Sequence, residues 1–256
     1  MGKIISIFNQ KGGVGKTTTS INLSAGVGKL GKKVLLVDLD PQGNSTSGLG
    51  INKNEVENLI YDILALDLPI ELAIYPTSAE NVSIIPSNNQ LAGLEIEFAR
   101  SGNWENALKV ELDKIRDNYD YIFIDCPPSL GILSVIGLIA SNSVLIPVQC
   151  EYFALEGVSQ LFETIEIVKK SYNPRLDIEG VVLSMFDGRT NLSIQVVDEV
   201  KSFFKGKVYV NLIPRNVRLA EAPSYGLSIM DYDLKSKGSE AYMELAEEFL
   251  DLQQRL

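Results

Sequence analysis

The chain is expected to fold as one α/β domain, residues 1–256, built on a doubly wound and mainly parallel sheet with helices on both faces. Three observations predict it. Strand-like runs alternate with helix-like segments along the whole sequence, the signature of repeated strand–helix–strand units. The strand-like runs, such as Ile4–Phe8 and Tyr121–Asp125, are almost continuously apolar, as strands are when both faces of a sheet are covered. The first run ends in the glycine-rich stretch Gln10-Lys11-Gly12-Gly13-Val14-Gly15-Lys16-Thr17-Thr18 and then enters a helix-like segment. A strand, a glycine turn and a helix in that order aim backbone N–H groups and the positive end of a helix dipole at one point.

In chain order, the expected strands are Ile4–Phe8, Lys33–Asp38, Val82–Pro86, Tyr121–Asp125, Ser143–Pro147, Gly180–Phe186 and Val208–Ile213. Each is a short apolar run bounded by Gly, Pro, Asn, Asp or charge. The expected helices are Thr17–Leu30, Val56–Leu64, Asn89–Phe98, Trp104–Asn118, Leu130–Ala140, Leu155–Tyr172, Leu192–Phe204 and Ser239–Gln253. Their apolar residues recur at three- and four-residue spacing. The sequence contains no internal repeat, low-complexity tract or long linker. The first strand starts by residue 4, which leaves no room for an N-terminal helix-turn-helix module.

Composition narrows the function classes. The net charge is −10, from 23 basic and 33 acidic residues, so a generally basic nucleic-acid coat is excluded and DNA binding would need a local patch. No apolar run approaches the ~20 residues of a membrane-spanning helix, and no cleavable leader is visible; a cytoplasmic protein is expected. The two cysteines, Cys126 and Cys150, close predicted core strands and read as structural thiols.

The glycine stretch is built for phosphate. Gly12, Gly13, Val14, Gly15 and Thr18 would cradle it with backbone N–H groups, Lys16 would reach the β- and γ-phosphates, and the Thr17 hydroxyl would take one position on Mg²⁺. The usual phosphate loop has glycine five residues ahead of Gly15, where this chain has Gln10 followed by Lys11. With that second lysine, the loop resembles the deviant Walker A motif of the ParA/MinD family of ATPases. The resemblance implies ATP and Mg²⁺ as cofactors, and a Lys11 that crosses a dimer interface to the partner's nucleotide.

Further motifs extend it. Lys33-Val-Leu-Leu-Val-Asp-Leu-Asp-Pro-Gln-Gly delivers Asp38 and Asp40 to the carboxyl edge of the sheet, where open α/β folds bind ligands. It looks like the family's switch I, in which the residue matching Asp40 orients the attacking water and the one matching Asp38 lies close by. Tyr121-Ile-Phe-Ile-Asp-Cys-Pro-Pro is similar to a Walker B strand running into switch II, which implies that Asp125 holds Mg²⁺, commonly through a water. Ile146–Gly157 is similar to the segment that approaches the dimer seam, and Ile213–Ser224 to the loop that borders the adenine, making Pro214 and Asn216 candidate base contacts. Arg189 and Arg218 match positions that contact DNA without sequence preference.

The resemblance spans Lys3 to about Ala246 and is strongest to chromosomal, Soj-type ParA proteins. It implies a slow ATPase that dimerises with ATP, binds double-stranded DNA non-specifically at the nucleoid, and segregates a chromosome or plasmid with a ParB-type centromere-binding partner. Lys11, Lys16 and Asp40 would be its catalytic residues. Two places depart from the family pattern: Phe98–Asn106 is poor in basic residues, and Tyr225 stands where a histidine is common. A MinD-like membrane-cycling regulator is the alternative. It would need a C-terminal amphipathic helix with a basic face, whereas the tail from Glu240 is acidic. An electron-transfer ATPase with cysteines shared between subunits is a third reading, resting on Cys126 beside Asp125.

Overall fold

The computed structural model describes residues 1–102, 104–151 and 154–254, without the side chains of residues 101 and 154–157. Seven strands form one sheet in the order β3-β4-β2-β5-β1-β6-β7. They are β1 (Lys3–Ile7), β2 (Val34–Asp38), β3 (Tyr75–Pro76), β4 (Val82–Ile85), β5 (Tyr121–Asp125), β6 (Ser143–Gln149) and β7 (Asp177–Ser184). All neighbouring pairs are parallel except β3 with β4. The two-residue β3 was not expected, because so short an edge strand carries no periodicity to read.

Apolar side chains alternate between the faces. Ile4, Leu35, Val37, Ile122 and Ile124 pack on one side with α3 (Ile60–Leu66), α4 (Leu91–Ser101), α5 (Ala107–Ile115), α6 (Ile132–Ala140), α7 (Ala154–Ser171) and α8 (Asn191–Phe204). Ile5, Ile7, Leu36 and Phe123 pack on the other with α1 (Lys16–Lys29) and α11 (Lys237–Gln254). The short helices α2 (Asn44–Gly48), α9 (Val217–Glu221) and α10 (Ile229–Tyr232) lie in the connections. Gly28 allows α1 to close on the second face: a Cβ there would sit 2.2 Å from the Glu80 carbonyl oxygen.

The expected doubly wound, mainly parallel architecture is thus the observed one. Two elements differ. The expected helix from Val56 begins at Ile60, where the Asp62 carboxylate accepts the Leu59 N–H at 2.7 Å. The expected strand Val208–Ile213 meets β7 only at its two ends, through an isolated bridge of Val208 to Val181 and the Tyr209 and Ile213 N–H groups, which donate to the Val181 and Leu183 carbonyls at 3.0 and 2.9 Å. Between them the Val210 and Asn211 N–H groups donate to Glu248 of α11 at 2.7 and 3.0 Å, and that competing acceptor draws the segment off the sheet. Cys126 and Cys150 are buried and unpaired, and burial pushes their thiols up to about 12 and about 11. Thiols held in the core are not placed to bridge two subunits, which removes the basis of the electron-transfer reading.

Candidate functional site

Strand β1 lies between β5 and β6, where the connections leave the sheet in opposite directions, and such a switch point opens a crevice at the carboxyl ends of the strands. The glycine loop sits there. Gly13 and Gly15 take φ of 76° and 92°, left-handed values that a side chain would strain. Asn9 fastens the loop's near side, accepting the Lys11 N–H at 3.0 Å and donating to the Pro147 carbonyl at 2.8 Å. The Ser184 hydroxyl fastens the far side, donating to the Val14 carbonyl at 2.7 Å. Gly15 caps α1 without a side chain, so the first-turn N–H groups remain available to an anion.

Lys16 is buried and donates to the Lys11 carbonyl at 3.2 Å. Burial lowers its ammonium below the usual range, while Asp125 and Asp40 oppose that shift. Behind it, Asp38 and Asp125 end adjacent strands as register partners, both fully buried. Asp125 accepts the hydroxyls of Ser45 at 2.7 Å, Ser20 at 3.0 Å and Thr17. Asp38 accepts the Thr46 hydroxyl and N–H at 2.7 and 2.8 Å and the Asp40 N–H at 3.2 Å. Desolvation raises both carboxyls, to about 7 for Asp38 and about 6 for Asp125, and the hydroxyl donors only partly offset it. Asp40 is 7% exposed and accepts the Gln42 N–H at 2.9 Å.

The donor set fits nucleotide and metal. A left-handed glycine cup at an uncapped helix end suits phosphate, and a hydroxyl beside a buried carboxylate supplies the all-oxygen ligands a hard cation takes. Pro214 and Asn216 line a cleft of about 350 Å³ that also touches Gly15, Thr18, Met185 and Tyr242, so the structure joins the expected base contacts to the phosphate loop. The Asn216 side chain is partly committed, since its oxygen accepts the Arg218 N–H at 2.8 Å to cap α9.

Arg189 and Arg218 are not among the residues that line this cleft: Arg189 lies on the loop after β7 and Arg218 in α9, one on either side of it. Both are exposed and both are paired with carboxylates, at 2.7 Å to Asp187 and 2.8 Å to Glu221. Tyr225 is 65% exposed and stacks on Tyr232 with ring centroids 5.0 Å apart. Of the expected seam segment Ile146–Gly157, Tyr152 and Phe153 lie outside the described residues; Asn103, in the departure noted at Phe98–Asn106, does too. Sequence reasoning missed Ser20, Ser45, Thr46 and Ser184. Only Ser20 left a signal, three residues after Thr17 on the same helical face; the others are defined by pairing across the fold.

An AAA domain family model matches residues 2–178. The chain is 58% identical over 248 residues to the sporulation initiation inhibitor protein Soj of Bacillus subtilis, covering 97% of this chain and 98% of that one. It is 50% identical over 250 residues to the chromosome partitioning protein ParA of Myxococcus xanthus, covering 98% and 88%. The structure superposes with a TM-score of 0.87 on cobyrinic acid a,c-diamide synthase from Mycobacterium smegmatis solved with ADP and magnesium, at 36% identity over 99% of this chain and 96% of that one. With the lysine-bearing glycine loop and the paired strand-end aspartates in place, the chain belongs to the ParA/MinD family of deviant Walker A ATPases, among its Soj/ParA chromosome-partitioning proteins.

Proposed function

We propose that this protein is a single-domain, slowly hydrolysing ATPase that dimerises around ATP and Mg²⁺, binds DNA without sequence preference, and partitions a chromosome or plasmid with a ParB-type partner. The nucleoid would be its working location. The observation that carries the reading is the rim of the phosphate loop, where Lys11 is half-buried and Gly12 and Gly13 are exposed. A Cβ at Gly12 or Gly13 would meet nothing within 4 Å inside the chain, so this rim is open to something outside it. A second copy laid there would bring its Lys11 toward this chain's phosphates.

The roles follow from placement. The backbone of residues 12–18 and the Lys16 ammonium would hold the phosphates, Thr17 and Asp125 the metal, and Pro214 and Asn216 the base. Mg²⁺ held by Thr17 and Asp125 would supply charge neutralisation at the phosphates. Asp40, on the turn after β2 and beside Lys16, would orient the attacking water. DNA binding then depends on doubling a weak patch. Phosphate contacts are additive and sequence-independent, so a dimer presenting Arg189 and Arg218 twice gains affinity that a monomer lacks.

The membrane-cycling alternative is opposed by α11. Its apolar face, including Tyr242, Leu245 and Phe249, is buried on the core side, and its exposed face carries Glu240, Glu244, Glu247 and Asp251. Such a face repels anionic lipid. Among the described residues no helix is long and apolar enough to cross a membrane.

The test is co-sedimentation with duplex DNA and, in parallel, with anionic liposomes, each with ATP, ADP or no nucleotide. Retention on DNA with ATP alone is expected, and Lys16→Ala is expected to lose it by losing the cation that faces the β- and γ-phosphates. Retention on liposomes, or equal DNA binding in all three nucleotide states, overturns the reading.

A further inference from the structure

Three arginines are carried by the two segments beside the base-side cleft, Arg189 on the loop after β7 and Arg215 and Arg218 on the stretch that leads into and forms α9, and each is held by a carboxylate. Arg189 Nε and Nη2 donate to the two oxygens of Asp187 at 2.8 and 2.7 Å. Arg218 Nη1 donates to Glu221 at 2.8 Å, with Asp233 3.6 Å from its Nε. Arg215 Nη2 donates to Glu151 at 3.1 Å. Asp187 meets its guanidinium at two points, the geometry that a phosphate takes on the same group, whereas Glu221 holds Arg218 through one nitrogen. The pairs nevertheless stand in water, with the Arg189 side chain 89% exposed and that of Arg218 53% exposed, and exposed pairs are weak enough for a competing anion to open.

The geometry points to Asp187 and Glu221 as affinity-setting residues of the DNA surface, each engaging a guanidinium that a DNA phosphate would need and yielding it to that phosphate. This rests on the non-specific DNA reading above and adds its regulation. A carboxylate displaced from its arginine stays two or three residues along the same segment, near the incoming phosphate, and repels it. The protein therefore binds DNA less tightly than its arginines alone would allow, and two copies of each guard act in a dimer. That restraint makes binding depend on dimerisation.

Asp187 also shapes its loop. Its Oδ1 accepts the Arg189 N–H at 3.1 Å and its carbonyl accepts the Thr190 hydroxyl at 3.0 Å. Glu221 likewise accepts the Tyr232 hydroxyl at 3.3 Å. The informative substitutions keep an oxygen in place, so Asp187→Asn and Glu221→Gln remove the charge and leave these acceptors.

The experiment is fluorescence anisotropy of a labelled duplex against full-length protein with ATP at one fixed salt concentration, with dimer formation checked by size-exclusion chromatography. Each substitution is expected to tighten binding by between about twofold and about thirtyfold, from one weak exposed pair relieved in each of two subunits. Asp198→Asn, on the exposed face of α8, makes the same charge change away from the guarded arginines and is expected to do less. In an Arg189→Ala background Asp187→Asn is expected to lose its effect. Wild-type binding that Asp187→Asn and Glu221→Gln leave unchanged or weaken overturns the guard and spares the DNA reading. A gain matched by Asp198→Asn, or one that persists without Arg189, also overturns the guard. Absence of DNA binding by the wild type and both variants overturns the DNA reading and the guard with it.

Discussion

Asp38 and Asp125 are register partners at the ends of adjacent parallel strands, and their carboxyl groups share one fully buried space with four hydroxyl side chains: Thr17, Ser20, Ser45 and Thr46. Two like charges there repel in a poorly solvated setting. The arrangement is stable when a proton or a cation offsets one of them, which ties the site to both pH and metal.

Thermal stability should therefore fall as pH rises. Desolvation holds Asp38 at about 7 and Asp125 at about 6, above the ordinary 3.8. A folded-state value above the unfolded one means that the contribution is complete below the unfolded value and disappears as pH climbs through the folded one. The chain contains no histidine, so no side chain with an ordinary pKa in that window competes. By scanning fluorimetry without nucleotide, melting is expected at a higher temperature at about pH 5 than at about pH 8, and Asp38→Asn is expected to shrink the difference. An equal or higher melting temperature at the alkaline end would falsify this account of the pair.

Asp40→Ala should bind ATP, because the glycine cup, Lys16, Thr17 and Asp125 are untouched, yet turn it over more slowly by on the order of 10²-fold or more for want of an oriented water. It should elute as a dimer with ATP. Asp40→Asn, which keeps an acceptor for the Gln42 N–H, separates loop geometry from charge. Undiminished turnover in both variants removes Asp40 from catalysis.

Lys11→Ala should bind nucleotide as a monomer and fail at stable pairing, since the proposed target of its charge lies on the other subunit. Only its N–H and carbonyl take part in the loop's own hydrogen bonds, and both survive truncation. Mixing inactive Lys11→Ala and Asp40→Ala chains probes the exchange. Mixed dimers that form and recover no activity in any site would leave a trans-acting lysine without support.

Arg189→Ala and Arg218→Ala should each weaken DNA binding and leave ATP-dependent dimerisation intact, because both side chains stand outside the nucleotide cleft. Each change removes two phosphate contacts per dimer, so the log–log salt slope should become shallower by roughly 1.8 units on duplex DNA. Loss of dimerisation in either variant would reassign that arginine to the seam.

Much of this was legible in the chain. Continuous apolar runs announce strands covered on both faces, and Gly13, Gly15 and Lys16 announce a phosphate loop, because glycine is used where φ turns positive and the motif is contiguous. Asp38 and Asp125 were readable for the same reason, each closing a strand whose direction fixes the edge it reaches, and Asp40 follows on the turn after β2. Tertiary structure alone decided the rest. Ser45 and Thr46 become partners of Asp125 and Asp38 only when β2, β5 and α2 are packed together. The bowing of residues 208–214 depends on Glu248 arriving from a distant helix. Whether Arg189 and Arg218 stand free or guarded turns on the backbone of one turn and of α9, which set Asp187 and Glu221 within 3 Å of them. Local sequence encodes backbone preference and periodicity, whereas the burial and raised carboxyls of Asp38 and Asp125 arise from separations between groups far apart in the chain, and those distances exist only in the fold.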